Sequence, residues 1–167
     1  MTNSVAPSSE VQTVRRVIAL LRVTLGVILL VTWYDNFTKG VYTADGILGL
    51  FNYLFNDNGG GPEFYRALIN GTILQAPGLF AGFQMVGELL LGLGLLFGGL
   101  TMLSGLGATF FFFNLFLAYF GGSEWIWTYV LLMVSSFVVA LTRSGRAFGI
   151  DHYLVKKFGE PRVFFLW

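Results

Sequence analysis

Glu88 is an ionisable side chain in the middle of Leu79–Leu100, a run otherwise made of Gly, Leu, Phe, Met, Val and Ala with a single Gln. Roughly 20 such residues in a helix cross the hydrocarbon of a bilayer. An acid at the centre of that helix costs about 2.5–3.5 kcal/mol on insertion scales, so it needs a partner or a task. The chemistry open to it is proton exchange, or a hydrogen bond to a bound headgroup. Asn114 is the first candidate partner. With the turn between the second and third apolar runs at Leu100-Thr101, Glu88 and Asn114 lie equally far from Thr101 along the chain, ~19 Å deep at helical rise. A protonated Glu88 could donate to Asn114, or to Ser135 or Ser136 at a similar level on the fourth run. Arg22 is the rival partner. It stands early in the first run, and helical side chains lean toward their N-terminus. That geometry favours Arg22 reaching out to the interface over an ion pair with Glu88.

A second group lies at the far end of the first run: Trp33, Tyr34, Asp35, Asn36 and Lys39. Trp and Tyr commonly anchor helices at the membrane surface. The functional alternative is an entrance for a quinone headgroup or a small anion, built from Trp33, Tyr34, Asn36 and Lys39, with Arg66 adding positive charge. Trp125 and Trp127 mark the same level on the fourth run. His152 is read as a solvated interfacial side chain.

Four transmembrane helices position these groups: Val17–Phe37, Leu79–Leu100, Ser104–Phe120 and Trp125–Leu141. The expected fold is an all-α membrane protein, a four-helix bundle over residues 15–154 flanked by a polar tail at 1–14 and a C-terminal tail at 155–167. The connection Lys39–Pro77 is expected to carry one or two short amphipathic helices. Ile47, Leu50, Phe51, Leu54 and Phe55 fall on one helical face. Thr43 or Asp45 could cap its start, and Pro62-Glu63 suits the opening of another short helix.

Composition agrees with a membrane chain. Of 167 residues, 55% are hydrophobic and only 11% charged. A net charge of +1 offers no basic face for nucleic acid. With no Cys and one His, the chain cannot by itself ligate an iron–sulfur cluster, structural zinc or bis-histidine haem. Any redox centre would belong to a partner or a diffusible cofactor such as quinone. The polar start Met1–Thr13 has no apolar core and does not read as a signal peptide. Arg15 and Arg16 flank the start of the first span, and Arg143, Arg146, Lys156, Lys157 and Arg162 follow the last. The positive-inside bias therefore predicts a multi-pass protein of the cytoplasmic (inner) cell membrane with both termini cytoplasmic.

The ordered residues resemble the DoxX/DoxD family of small four-span membrane proteins. The resemblance runs from about Arg22 to Leu154. It rests on Leu21-Arg22-Val23-Thr24-Leu25-Gly26-Val27-Ile28-Leu29-Leu30 with Asn36 and Lys39, then Gly87-Glu88-Leu89-Leu90-Leu91-Gly92-Leu93-Gly94-Leu95-Leu96 and Asn114, and finally Gly145-Arg146-Ala147-Phe148-Gly149-Ile150-Asp151. It implies a subunit working beside redox enzymes, the best-known members being subunits of a thiosulfate:quinone oxidoreductase. It also implies Arg22, Glu88 and Asp151 as the positions to test, as ion-pair or site residues. Relatives often carry Thr-Arg after the second helix, whereas here Thr101 precedes Met102. Three functions stay open at this point: a quinone-contacting subunit of a redox or respiratory complex, a purely structural accessory subunit of a larger membrane assembly, and a small proton-coupled transporter. The apolar end Val163–Trp167 could dock on a partner.

Overall fold

The computed structural model describes residues 9–161, and all regular structure among them is helical. Arg162 and the apolar end Val163–Trp167 lie outside the described residues, as does the polar start up to Ser8.

Four long helices form a closed ring: α1 (Ser9–Thr38), α4 (Pro77–Phe97), α5 (Thr101–Tyr119) and α6 (Trp127–Thr142), with α1 against α4 and α6, and α5 against α4 and α6. Three of them, α1, α4 and α5, are long and apolar enough to cross a membrane. The fourth, α6, is apolar but has only 16 residues, ~24 Å of helix, shorter than the expected span. Leu25, Leu29, Leu95, Ala108, Phe112 and Val139 meet on the ring axis. Lipid is as apolar as these side chains, so close backbone packing has to hold the helices together. Gly26 supplies it between α1 and α4, where a Cβ would stand 2.6 Å from the Leu96 nitrogen. Gly105 does the same between α5 and α6, where a Cβ would lie 2.8–3.0 Å from Ala140.

The connection between α1 and α4 folds into a cap. It contains α2 (Ala44–Asn52), a π-turn (Tyr53–Asp57), α3 (Glu63–Gly71) and a 3₁₀ turn (Ile73–Gln75). Thr43 caps α2 as its position predicts, its hydroxyl accepting from Gly46 N at 3.0 Å. The predicted apolar face is the one buried: Ile47, Phe51, Leu54 and Phe55 pack with Tyr65, Ile69, Ala81 and Ala118, and Leu50 lies against them. Pro62 and Glu63 open α3. Asn58 ties the cap to the α5–α6 turn, its Oδ1 accepting from Ser123 N at 3.1 Å and Ser123 Oγ at 2.6 Å.

At the opposite end α4 stops at Gly98, a left-handed cap with φ 66°, and α5 starts at Thr101. This is the tight hairpin expected from the sequence. After α6, the 3₁₀ turn Ser144–Arg146 leads into α7 (Ile150–Phe158), which returns to this hairpin.

Candidate functional site

Glu88 is 1% exposed, and its partner comes from the turn after α1. Tyr42 donates its phenol to Glu88 Oε2 at 2.8 Å. The local sequence explains how Tyr42 arrives there. Gly40 takes φ 71°, its N–H bonds Phe37 O at 3.2 Å, and Val41 N bonds Asn36 O at 2.9 Å. That pair of bonds is a Schellman ending, and it turns the chain back over the bundle. Burial, followed by the bond to Glu88, pushes the Tyr42 phenol above its ordinary pKa, so it stays a donor. Asn36 and Gln84 face the same carboxylate. Both act on it as weaker hydrogen-bonding neighbours, and no donor among the described residues meets the buried Oε1 in full hydrogen-bond geometry. Trp33 forms the neighbouring wall. Its indole donates to Met85 O at 2.9 Å, and its ring stands 6.5 Å from that of Tyr42 and stacks on Phe37 at 5.4 Å.

A second polar cluster sits at the other end of α1 and α4. Asp151 is fully buried. Its Oδ1 accepts from Leu100 N at 2.7 Å and its Oδ2 from Thr101 N at 2.9 Å, so it caps the start of α5 from a distant segment. Asp151 N in turn bonds Gly98 O at 2.9 Å. Arg22, 3% exposed, lies against Gly98 and Gly149, where a Cβ on Gly149 would come within 2.7 Å of Nη1. It is attracted by the Asp151 carboxylate without a direct ion pair, and its Nε and Nη1 have no partner among the described residues. Gly145 leaves room for Asp151, since a Cβ there would lie 2.7 Å from Oδ2.

The family model described as "TQO small subunit DoxD" matches residues 18–166. The chain belongs to the DoxX/DoxD family. No curated protein and no solved structure matches it.

In this DoxD chain the facing pairs Arg22–Gly98, Gly26–Leu96, Leu30–Gly92 and Trp33–Met85 step down α4 as they climb α1. The level of Glu88 therefore falls beside Thr32 and Trp33, about ten residues or ~15 Å from Arg22. Arg22 and Glu88 form no ion pair among the described residues, and Arg22 does not reach out to the interface. It is buried in a cradle made by the chain returning at Gly98 and Gly149. Asn114 is a second correction. Its Nδ2 donates to Phe110 O at 2.8 Å within its own helix, and Ser136 likewise bonds Leu132 O. The depth estimate fixes height along α4 but not direction around it, and Glu88 faces α1 and the cap.

The predicted entrance group divides. Trp33 and Asn36 join the Glu88 cluster. Tyr34 is exposed, and Lys39 pairs with Asp35 at 2.6 Å in solvent. Arg66 belongs to the cap, with Nε donating to Gly61 O at 2.7 Å. His152 is exposed, its Nδ1 lying 3.2 Å from Arg146 O. Tyr42 and Gln84 were not singled out from the sequence. Gln84 had a signal, being the only other polar side chain in the α4 run and one turn before Glu88, on its face. Tyr42 had none, because a glycine turn brings it in.

Among the described residues no group of His, Cys, Asp or Glu could hold a metal ion.

Proposed function

We propose that this multi-pass membrane protein is the membrane subunit of a quinone-linked respiratory complex, and that Glu88 meets the quinone headgroup. The match to the family of TQO small subunits supports a role as a subunit beside a larger partner in such a complex. The contact with quinone rests on one observation: a buried, unpartnered carboxylate oxygen, Glu88 Oε1, set among the phenol of Tyr42 and the amides of Asn36 and Gln84. Leaving such an atom unpaired costs about 1–3 kcal/mol, a penalty that a headgroup hydroxyl donating to Oε1 removes.

The residues fit a quinone, whose oxygens alternate between acceptor and donor. When bound, the quinone supplies two-electron, two-proton chemistry. Oε1 would take or return one of the two protons, the electrons passing to or from the partner subunit of the complex, while Tyr42 holds Oε2 and fixes the plane of the carboxylate. A bound headgroup would find donors in the amides of Asn36 and Gln84 and an aromatic wall in Trp33. The clustering of Arg15, Arg143 and Arg146 at one end supports an inner-membrane orientation with both termini cytoplasmic.

The test is quinone reduction by the intact complex carrying Glu88→Gln, beside Tyr42→Phe. We expect Glu88→Gln to lower turnover at least about a hundredfold, the lower end of the scale of positioned proton transfer, with a smaller loss for Tyr42→Phe. An unchanged rate in Glu88→Gln removes the quinone role. The exposed Phe83, Phe110 and Leu131 favour a structural accessory role as the second reading. That reading requires the unchanged rate together with loss of assembly when those faces are altered.

A further inference from the structure

We propose that the cap contains a binding pocket for a short organic carboxylate, with Arg66 as the residue that takes the charge. The pocket, of about 350 Å³, lies between α2, the π-turn and α3. Arg66, Asn52, Asn56 and Asn70 supply its polar lining, and Leu48 and Leu74 contribute to its apolar side. No acidic side chain lines it.

The guanidinium is already fixed in place. Its Nε is held by Gly61 O at 2.7 Å, a carbonyl placed by the left-handed Gly61 at φ 82°. Its Cζ stands 5.4 Å from the centre of the Phe55 ring. Arg66 forms no ion pair among the described residues, so both terminal amino groups remain as a fork. That planar fork matches the two oxygens of a carboxylate. The Asn56 amide donates to Asn52 Oδ1 at 2.8 Å, which orders both amides and leaves the Asn52 amino group as a further donor. A π-turn, a form of helix frequent at functional sites, carries Phe55 and Asn56 into the lining.

The lining selects among anions. A single cation suits a monoanion. The leucine side chains and the phenylalanine rings offer nothing to a small, strongly hydrated inorganic ion, but they shelter an aliphatic stem. The volume is at the small end for ligand pockets, enough for a chain of about four to six carbons. Glu88 takes no part in this, so the pocket stands or falls independently of the quinone reading.

The experiment is calorimetric titration of the full chain in lipid nanodiscs with hexanoate. Hexanamide, sulfate and a nanodisc series with increasing anionic phospholipid serve as competitors. We expect saturable hexanoate binding that none of the three displaces at equal concentration. Arg66→Gln and Arg66→Lys should each weaken it at least tenfold, the second because a lysine keeps the charge and loses the fork. Absence of saturable binding overturns the proposal, as does equal binding by Arg66→Gln. Displacement by sulfate or by anionic lipid also overturns it, because the site would then serve inorganic ions or headgroups. If Arg66→Gln fails to fold, Arg66→Lys and the wild-type competition decide the matter.

Discussion

Replacing Asp151 with alanine tests whether the far end of the bundle is held by one carboxylate. Asp151 is fully buried and accepts from two backbone N–H groups, at 2.7 and 2.9 Å. Alanine orphans both donors, each costing about 1–3 kcal/mol when buried. It also removes the charge facing Arg22, a cation already buried with two unpartnered nitrogens. Breaking a buried charge arrangement on one side costs about 3–5 kcal/mol, and we take that range for the whole change. For a domain of this size it corresponds to a fall in Tm of about 10 °C. Asp151→Asn keeps one acceptor and should lose about half as much. The assay is thermal unfolding in one detergent or nanodisc condition, run also for Arg22→Met and the double variant. Because Asp151 offsets the buried cation, Asp151→Ala should be milder in the Arg22→Met background. An Asp151→Ala protein melting within about 2 °C of the parent refutes the reasoning.

Gly26→Ala should destabilise by about 1–3 kcal/mol, because its methyl meets α4 backbone at 2.6 Å and the helices must part. Gly87→Ala, which meets nothing within 4 Å, should be neutral or stabilise by about 0.5–1 kcal/mol, and the same melting assay compares the two. At the end of α7, Arg146 donates to both oxygens of Glu160 at 2.9 and 2.8 Å and holds that carboxyl below its ordinary pKa. The contribution of this pair is complete above the unfolded value and is lost as pH falls through the lowered folded one. In Arg146→Gln the Glu160 carboxyl resonance should titrate at higher pH, and an unmoved midpoint would show that the pair does not form in solution.

Periodicity made the helices and the buried face of α2 legible, because Ile47, Leu50, Phe51, Leu54 and Phe55 repeat at helical spacing and Thr43 has the chemistry of a cap. The hairpin at Gly98–Thr101 was legible from its glycines. The height of Glu88 followed from counting along the hairpin. Its partner did not, since each residue turns the helix by about 100° and small errors in facing exchange α5 for α1. Tyr42 was hidden for a different reason. A Schellman turn reverses the chain there, and nothing in the tyrosine's own position marks the direction it takes. Arg22 defied expectation because its cradle is built by Gly98 and Gly149, segments far apart in the chain that meet only when α7 folds back.

The α1–α4 pair explains why one short chain can hold two buried ionisable clusters. Both clusters hang on these two helices: Trp33 and Asn36 on α1 face Glu88 and Gln84 on α4, while Arg22 on α1 faces the Gly98 end of α4. Between them the helices touch backbone to backbone at Gly26, which fixes their register. Both oxygens of Asp151 are committed to backbone donors at the start of α5, while Nε and Nη1 of the neighbouring Arg22 stay unpaired among the described residues. The Glu88 cluster has donors around it and one carboxylate oxygen still unpaired. Of the two carboxylates, only Glu88 can accept a further hydrogen bond or a proton without first breaking a helix cap. That difference in what each carboxylate already holds is why the proposed ligand contact is placed at Glu88, although the sequence alone presents both as acids in an apolar chain.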